Sequence, residues 1–172
     1  MHWPGWICVR RATRPVDEYL LLKWLHIISA TLLFGTGLGS AYYKWTTDRS
    51  GDVRAIAVVA NQVVLADWMF TAPAILIQPV TGIWMASLAG FSITEVWIAW
   101  AFGLYGLAGA CWLPVVVLQY RMRALARAAA HEGAALPETY WRYARVWFRL
   151  GIPAFVSMVA VFWLMVFKPS AG

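Results

Sequence analysis

A chain of 172 residues, 62% hydrophobic and 13% charged, has room for one domain and falls outside the composition of water-soluble globular proteins. Its formal charge of +6 would suggest nucleic acid in a soluble protein. Here the basic residues flank apolar runs longer than the ~20 residues that cross a hydrocarbon core, so bilayer orientation and anionic lipid explain the excess and no nucleic-acid partner is expected. Cys8 lies in the N-terminal segment and Cys111 deep inside an apolar run, which leaves no disulfide framework and no CxxC pair.

In chain order, residues 1–18 form a polar segment broken by Pro4 and Pro15 and carrying Arg10, Arg11 and Arg14. The apolar run that follows, residues 19–45, is about twice the length of a signal-peptide core and reads as an uncleaved first span. The turn TTDRSGDVR contains Gly51, and Asp52 is placed to cap the next helix. The second run covers residues 55–78 with an extension to 90 and contains Pro73 and Pro79. It is too long for one straight crossing, and the preferred reading is a helix to about Gln78 followed by a shorter helical piece, with a re-entrant segment as the alternative. A third helix opens near Thr94, spans residues 95–120 and bends at Pro114. It leads into the basic stretch 121–145, read as a helical loop containing GAALPET, and Pro137 suits the start of the helix whose span is 146–167. The fold class is therefore all-α, a polytopic four-helix transmembrane bundle with kinked second and third helices. Trp24, Tyr42, Tyr43, Trp45, Trp97, Tyr140, Trp141 and Trp147 fall near the ends of apolar runs, where amphipathic rings favour the headgroup level.

Lys and Arg set the expected orientation. The first and third loops share a side and hold Lys44, Arg49, Arg54, Arg121, Arg123, Arg127, Arg142, Arg145 and Arg149. The other side holds Arg10, Arg11, Arg14, Lys23 and Lys168, and the second loop has none. The excess places both termini outside and the basic third loop in the cytoplasm, in a bacterial inner membrane.

Membrane helices associate by close packing of small residues, so GxxxG at Gly35 and Gly39, and the face Gly103, Gly106 and Ala110, read as helix contacts, with a dimer interface or a cofactor pressed against glycine as the alternative. His26 is the sole histidine inside a span. An intramembrane histidine is either an axial ligand of a b-type haem or is hydrogen-bonded to a neighbouring helix. A bis-histidine site needs a second ring that the spans lack, so a haem here would be five-coordinate or use Met, Lys or another group. Asp67 lies ~18 Å into its span, and Thr71 and Gln78 share its helix face, which should point into the bundle. That face is either a polar path for protons, quinone or substrate, or a hydrogen-bonded clamp. Lys23, His26, Gln78 and Lys168 reach one level in the outer half. Around a haem iron held by His26 the two lysines would pair with propionates; otherwise they snorkel to headgroups.

The stretches LLLKWLHIISATLLFGTGLG, DRSGDVRAIAVVANQVVLADWMFTAPAILIQPVTG, LAGACWLPVVVLQYRMRALA and FWLMVFKP resemble a bacterial DUF-type family of predicted integral membrane proteins over nearly everything after residue 18. More distantly, KWLH at residues 23–26 and VFKP at residues 166–169 are similar to HemJ-type protoporphyrinogen oxidases and CopD-like proteins, which are small helical bundles. That resemblance implies haem b, with His26 as its ligand and Lys168 as a functional lysine. The expected function is a small haem-associated redox or electron-transfer protein. The alternatives are a non-enzymatic accessory subunit of a larger membrane complex or homo-oligomer, and a small proton-coupled transporter using Asp67.

Overall fold

A computed structural model describes residues 15–169, all of whose regular structure is helical. The N-terminal arginines Arg10, Arg11 and Arg14 and Cys8 lie outside the described residues. Helix α1 spans Pro15–Ser50, α2 Val53–Ala66, α3 Ala72–Leu88, α4 Val96–Glu132 and α5 Glu138–Phe167. A π-helical turn, Asp67–Thr71, joins α2 to α3 without a break. Four rods result, each long and apolar enough to cross a membrane. The 36-residue α1 is ~54 Å long, so it outreaches a hydrocarbon core of ~30 Å.

Several boundaries differ from the sequence reading. The described part of α1 runs from Pro15, ahead of the span expected from residue 19, and Asp17 and Glu18 in its first turn suit the positive end of a helix dipole. The second rod deviates at Asp67–Thr71, well before Gln78. Pro73 supplies the cause. It has no N–H for the carbonyl four residues back, and the turn before it widens, with the Ala72 N–H donating to the Asp67 carbonyl one residue further than in an α-helix. The basic stretch 121–145 is mostly the ends of α4 and α5. Only residues 133–137 form the connection, which starts at Gly133 in the left-handed region (φ 65°). Asp52 caps α2 as the sequence suggests, accepting from the Arg54 and Ala55 N–H groups.

Helix α5 lies along α4, α2 packs on α4, and α1 packs on α2, the π turn and α3. Two apolar cores form. One, at the end bearing the basic loops, gathers Ile56, Val115, Met122, Tyr140 and Trp147. The other, at the end bearing the termini, gathers Ala86, Trp97, Ile98, Ala101 and Leu164. Trp97, Tyr140 and Trp147 are thus interior side chains and not headgroup anchors. Trp24, Tyr42, Tyr43 and Trp45 do face outward. Between α1 and α5 the ring of helices closes through Phe34, stacked on Phe155 at 5.0 Å and edge-on to Phe162 at 5.3 Å.

At the basic end a charged cluster ties α1 to α5. Lys44 is only 2% exposed. Its Nζ donates to Asp48 Oδ2 at 2.6 Å and to the Tyr140 hydroxyl at 2.9 Å, and that hydroxyl donates to Asp48 Oδ1 at 2.7 Å. The ammonium also sits 5.0 Å from the Tyr140 ring centre and 5.7 Å from that of Trp147. A buried charge with its partner removed is costly. Lys44→Met should therefore lower stability by about 3–5 kcal/mol, and Tyr140→Phe by about 1–2 kcal/mol. Adding Asp48→Asn to Lys44→Met should recover part of the loss, as read by unfolding in detergent micelles.

Pro79 lies inside α3 and leaves the Ile75 carbonyl without its helical donor. The Tyr105 hydroxyl donates to that oxygen at 2.8 Å across the bundle. Tyr105→Phe should cost about 1 kcal/mol, and the cost should largely vanish in a Pro79→Ala background, where the helix supplies the missing N–H. A double-mutant cycle on the same unfolding signal measures the difference.

Candidate functional site: two intramembrane cavities

The inward face of the second rod continues through Asp67, Thr71, Ala74, Gln78 and Thr81, all buried. Spacings of four and three keep these residues in line. Although Asp67, Thr71 and Gln78 share this face, they serve two separate cavities, with Tyr105 lining both.

The cavity toward the termini has a volume of about 420 Å³, within the range of small-molecule sites, and Lys23, His26, Gln78 and Lys168 all line it. It is open to the outside, since its lining residues Ile27, Ile83, Ile93, Phe102 and Val166 are exposed. The α1–α3 contact positions the histidine. Gln78 Nε2 donates to the His26 carbonyl at 2.7 Å and to Ser29 Oγ at 2.6 Å, and His26 Nδ1 lies 2.8 Å from Thr81 Oγ1. A Cβ on Gly82 would stand 3.4 Å from His26 Cε1, so a side chain longer than alanine would displace the ring.

Thr81 Oγ1 lies 2.7 Å from the Ile77 carbonyl and 3.2 Å from that of Gln78 as well as 2.8 Å from His26 Nδ1. With its proton on a carbonyl it accepts from His26 Nδ1–H and Nε2 keeps a lone pair; with its proton on Nδ1 the imidazole proton sits on Nε2. A histidine held this way through one nitrogen is oriented for a metal or a donor at the other. Lys168 ends α5 in the left-handed region (φ 42°), unusual for a residue with a Cβ. Its Nζ lies 5.1 Å from the Phe91 ring centre and 5.5 Å from that of Trp97. This lysine thus sits over an aromatic pair at the cavity rim.

The second cavity, about 580 Å³, lies nearer the basic end and is lined by all four rods, Asp67, Thr71, Trp112, Gln119 and Trp147 among them. Thr71 Oγ1 donates to Asp67 Oδ1 at 2.9 Å, and Gln119 and Trp112 lie beside the same carboxyl group. Trp112 and Gln119 were not singled out from sequence, and Trp147 reads there only as a headgroup anchor. Tryptophans in an apolar run read as filler or interface anchors, and only the register between helices turns Trp112 and Gln119 toward Asp67 and Trp147 toward Lys44.

The small-residue faces behave differently from expectation. A Cβ on Gly35, Gly39, Gly103 or Gly106 would meet nothing within 4 Å, and Ala110 is exposed. None of them brings helices of this chain together. Close approach occurs instead at Gly82, because the polar bonds between α1 and α3 set the rotation of α1. Among the described residues no group of three or more His, Cys, Asp or Glu is placed to hold a bare metal ion. Cys111 is a buried free thiol.

Thr81→Val should remove the hydroxyl that holds His26 Nδ1. Nitrogen NMR of labelled histidine should show one Nδ1-protonated form in the parent and a tautomer mixture in the variant. An unchanged spectrum would show that Thr81 does not fix the tautomer.

Residues 20–169 match a family described as predicted integral membrane protein (DUF2269). No curated protein and no solved structure matches the chain. The match covers all four membrane-length helices apart from the first turn of α1, and the chain belongs to the DUF2269 family of integral membrane proteins.

Proposed function

We propose that the cavity toward the termini takes haem b and that the protein is a small haem-associated redox or electron-transfer subunit of the bacterial inner membrane, with its termini outside and its basic loops in the cytoplasm. The observation that carries this reading is a histidine held through Nδ1 by Thr81, in a cavity also lined by two lysines; with Nδ1 protonated, Nε2 offers the iron a lone pair. The residues present fit such a group. His26 would hold the iron, and Lys23 and Lys168 would pair with the two carboxylates at the rim, where cations are well placed for charge-assisted bonds. Met85 and Met165 also line the cavity, and either thioether would be available as a further ligand. A bound haem would supply one-electron chemistry. The chain's own task is to orient His26 through Gln78, Ser29 and Thr81, and to exclude water with Phe91, Trp97 and the apolar walls.

Protein purified gently from haem-replete cells should show a Soret band that shifts on reduction and is lost or strongly weakened in His26→Ala. Colourless protein would overturn the proposal.

A second reading, a non-enzymatic accessory subunit, draws on the outward-facing small residues Gly103, Gly106 and Ala110 on α4, a surface suited to a helix from another chain. It requires co-purification at fixed stoichiometry after mild solubilisation.

A further inference from the structure

From the larger cavity near the basic end, we infer that the protein binds a membrane-soluble quinone between its helices, independently of what the other cavity holds. The cavity is reached from the lipid. Leu38 and Tyr42 on α1 and Ile152 and Val156 on α5 line it and are exposed, so its mouth lies at the seam that Phe34 closes. Its walls are apolar and aromatic, which demands an occupant that travels in the bilayer and presents a flat or greasy surface.

The polar groups narrow the class. Among the described residues, two buried indole N–H groups make no hydrogen bond of good geometry, Nε1 of Trp147 and Nε1 of Trp112, the latter beside the Asp67 carboxyl group, and both indoles line this cavity. Trp147 is 8% exposed. A buried N–H left unpaired costs free energy, and a carbonyl oxygen on the occupant removes that cost. Gln119, 5% exposed, supplies a further amide at the same wall. The occupant should be uncharged. The one acid on the wall is Asp67, and the nearby cation, Lys44, is already held by Asp48 and Tyr140. A fatty-acid carboxylate would face Asp67 with no free cation, whereas a quinone brings two neutral carbonyl acceptors on a planar ring and an apolar tail for the lipid-facing mouth.

The glycines on the walls supply a test that leaves the core intact. Gly37 on α1 and Gly151 on α5 line the cavity, and a Cβ on either would meet nothing within 4 Å. Full-length protein in detergent micelles is titrated with decylubiquinone by calorimetry. Saturable single-site binding is expected, about three- to ten-fold weaker in Trp112→Phe and in Trp147→Phe, and abolished in Gly151→Leu with an unchanged unfolding temperature. If Gly151→Leu does not fold, Gly37→Leu blocks the opposite wall and gives the same readout. The proposal is overturned by absence of saturable binding, by oleate or dioleoylglycerol competing as well as the quinone, or by full affinity in the filled variant. None of these outcomes depends on a haem spectrum, so failure here and failure of the haem proposal are distinguishable.

Discussion

In hydrocarbon a polar group has no water to fall back on, and a donor or acceptor within the spans that finds no partner is costly. The rotation of each helix follows from that constraint. Helix α1 turns its His26 and Ser29 toward Gln78 and Thr81 on α3. Helix α4 turns Tyr105 toward the carbonyl that Pro79 has orphaned. Near the basic end, Lys44 and Asp48 reach Tyr140 on α5. Each such bond is worth only about 0.6–2 kcal/mol in a bilayer, yet the alternatives leave a polar atom against acyl chains. A few bonds therefore decide among rotations that apolar packing alone would leave nearly equal.

The two prolines of the second rod act in different ways. Pro73 is absorbed by the π turn, which carries Asp67 and Thr71 inward at mid-helix. Pro79 is absorbed by a side chain from another helix. Both devices leave space next to polar groups, and a cavity lies against each region, with Tyr105 on the wall of both. Cavities lined by engaged polar groups are where a membrane bundle can hold a cofactor or a lipid-soluble ligand without exposing it to water.

Much of this architecture was legible. The four spans follow from run length, and the inward face of Asp67, Thr71 and Gln78 follows from helical period, because both depend on spacing along one chain. That Lys23, His26, Gln78 and Lys168 share one cavity could be anticipated from depth, since counting residues from the membrane edge places groups at a common level. Lys44 shows where such counting stops. By position it is a loop cation, yet it is buried and paired, and the i,i+4 spacing to Asp48 is the one local sign. Its removal from the exposed cations narrows the charge asymmetry on which the expected orientation rests.

Linear spacing, run length and the positions of proline thus establish how many helices cross, roughly where they deviate and which residues share a face, since these are properties of a single helix in an apolar solvent. Which face meets which neighbour is another matter. That Tyr140 and Trp147 enter the core, that GxxxG points outward, and that two indoles line the cavity that Asp67 also lines were settled only by the packed bundle. The reason is that helix rotation is fixed by partners far away in sequence, and no local pattern encodes them.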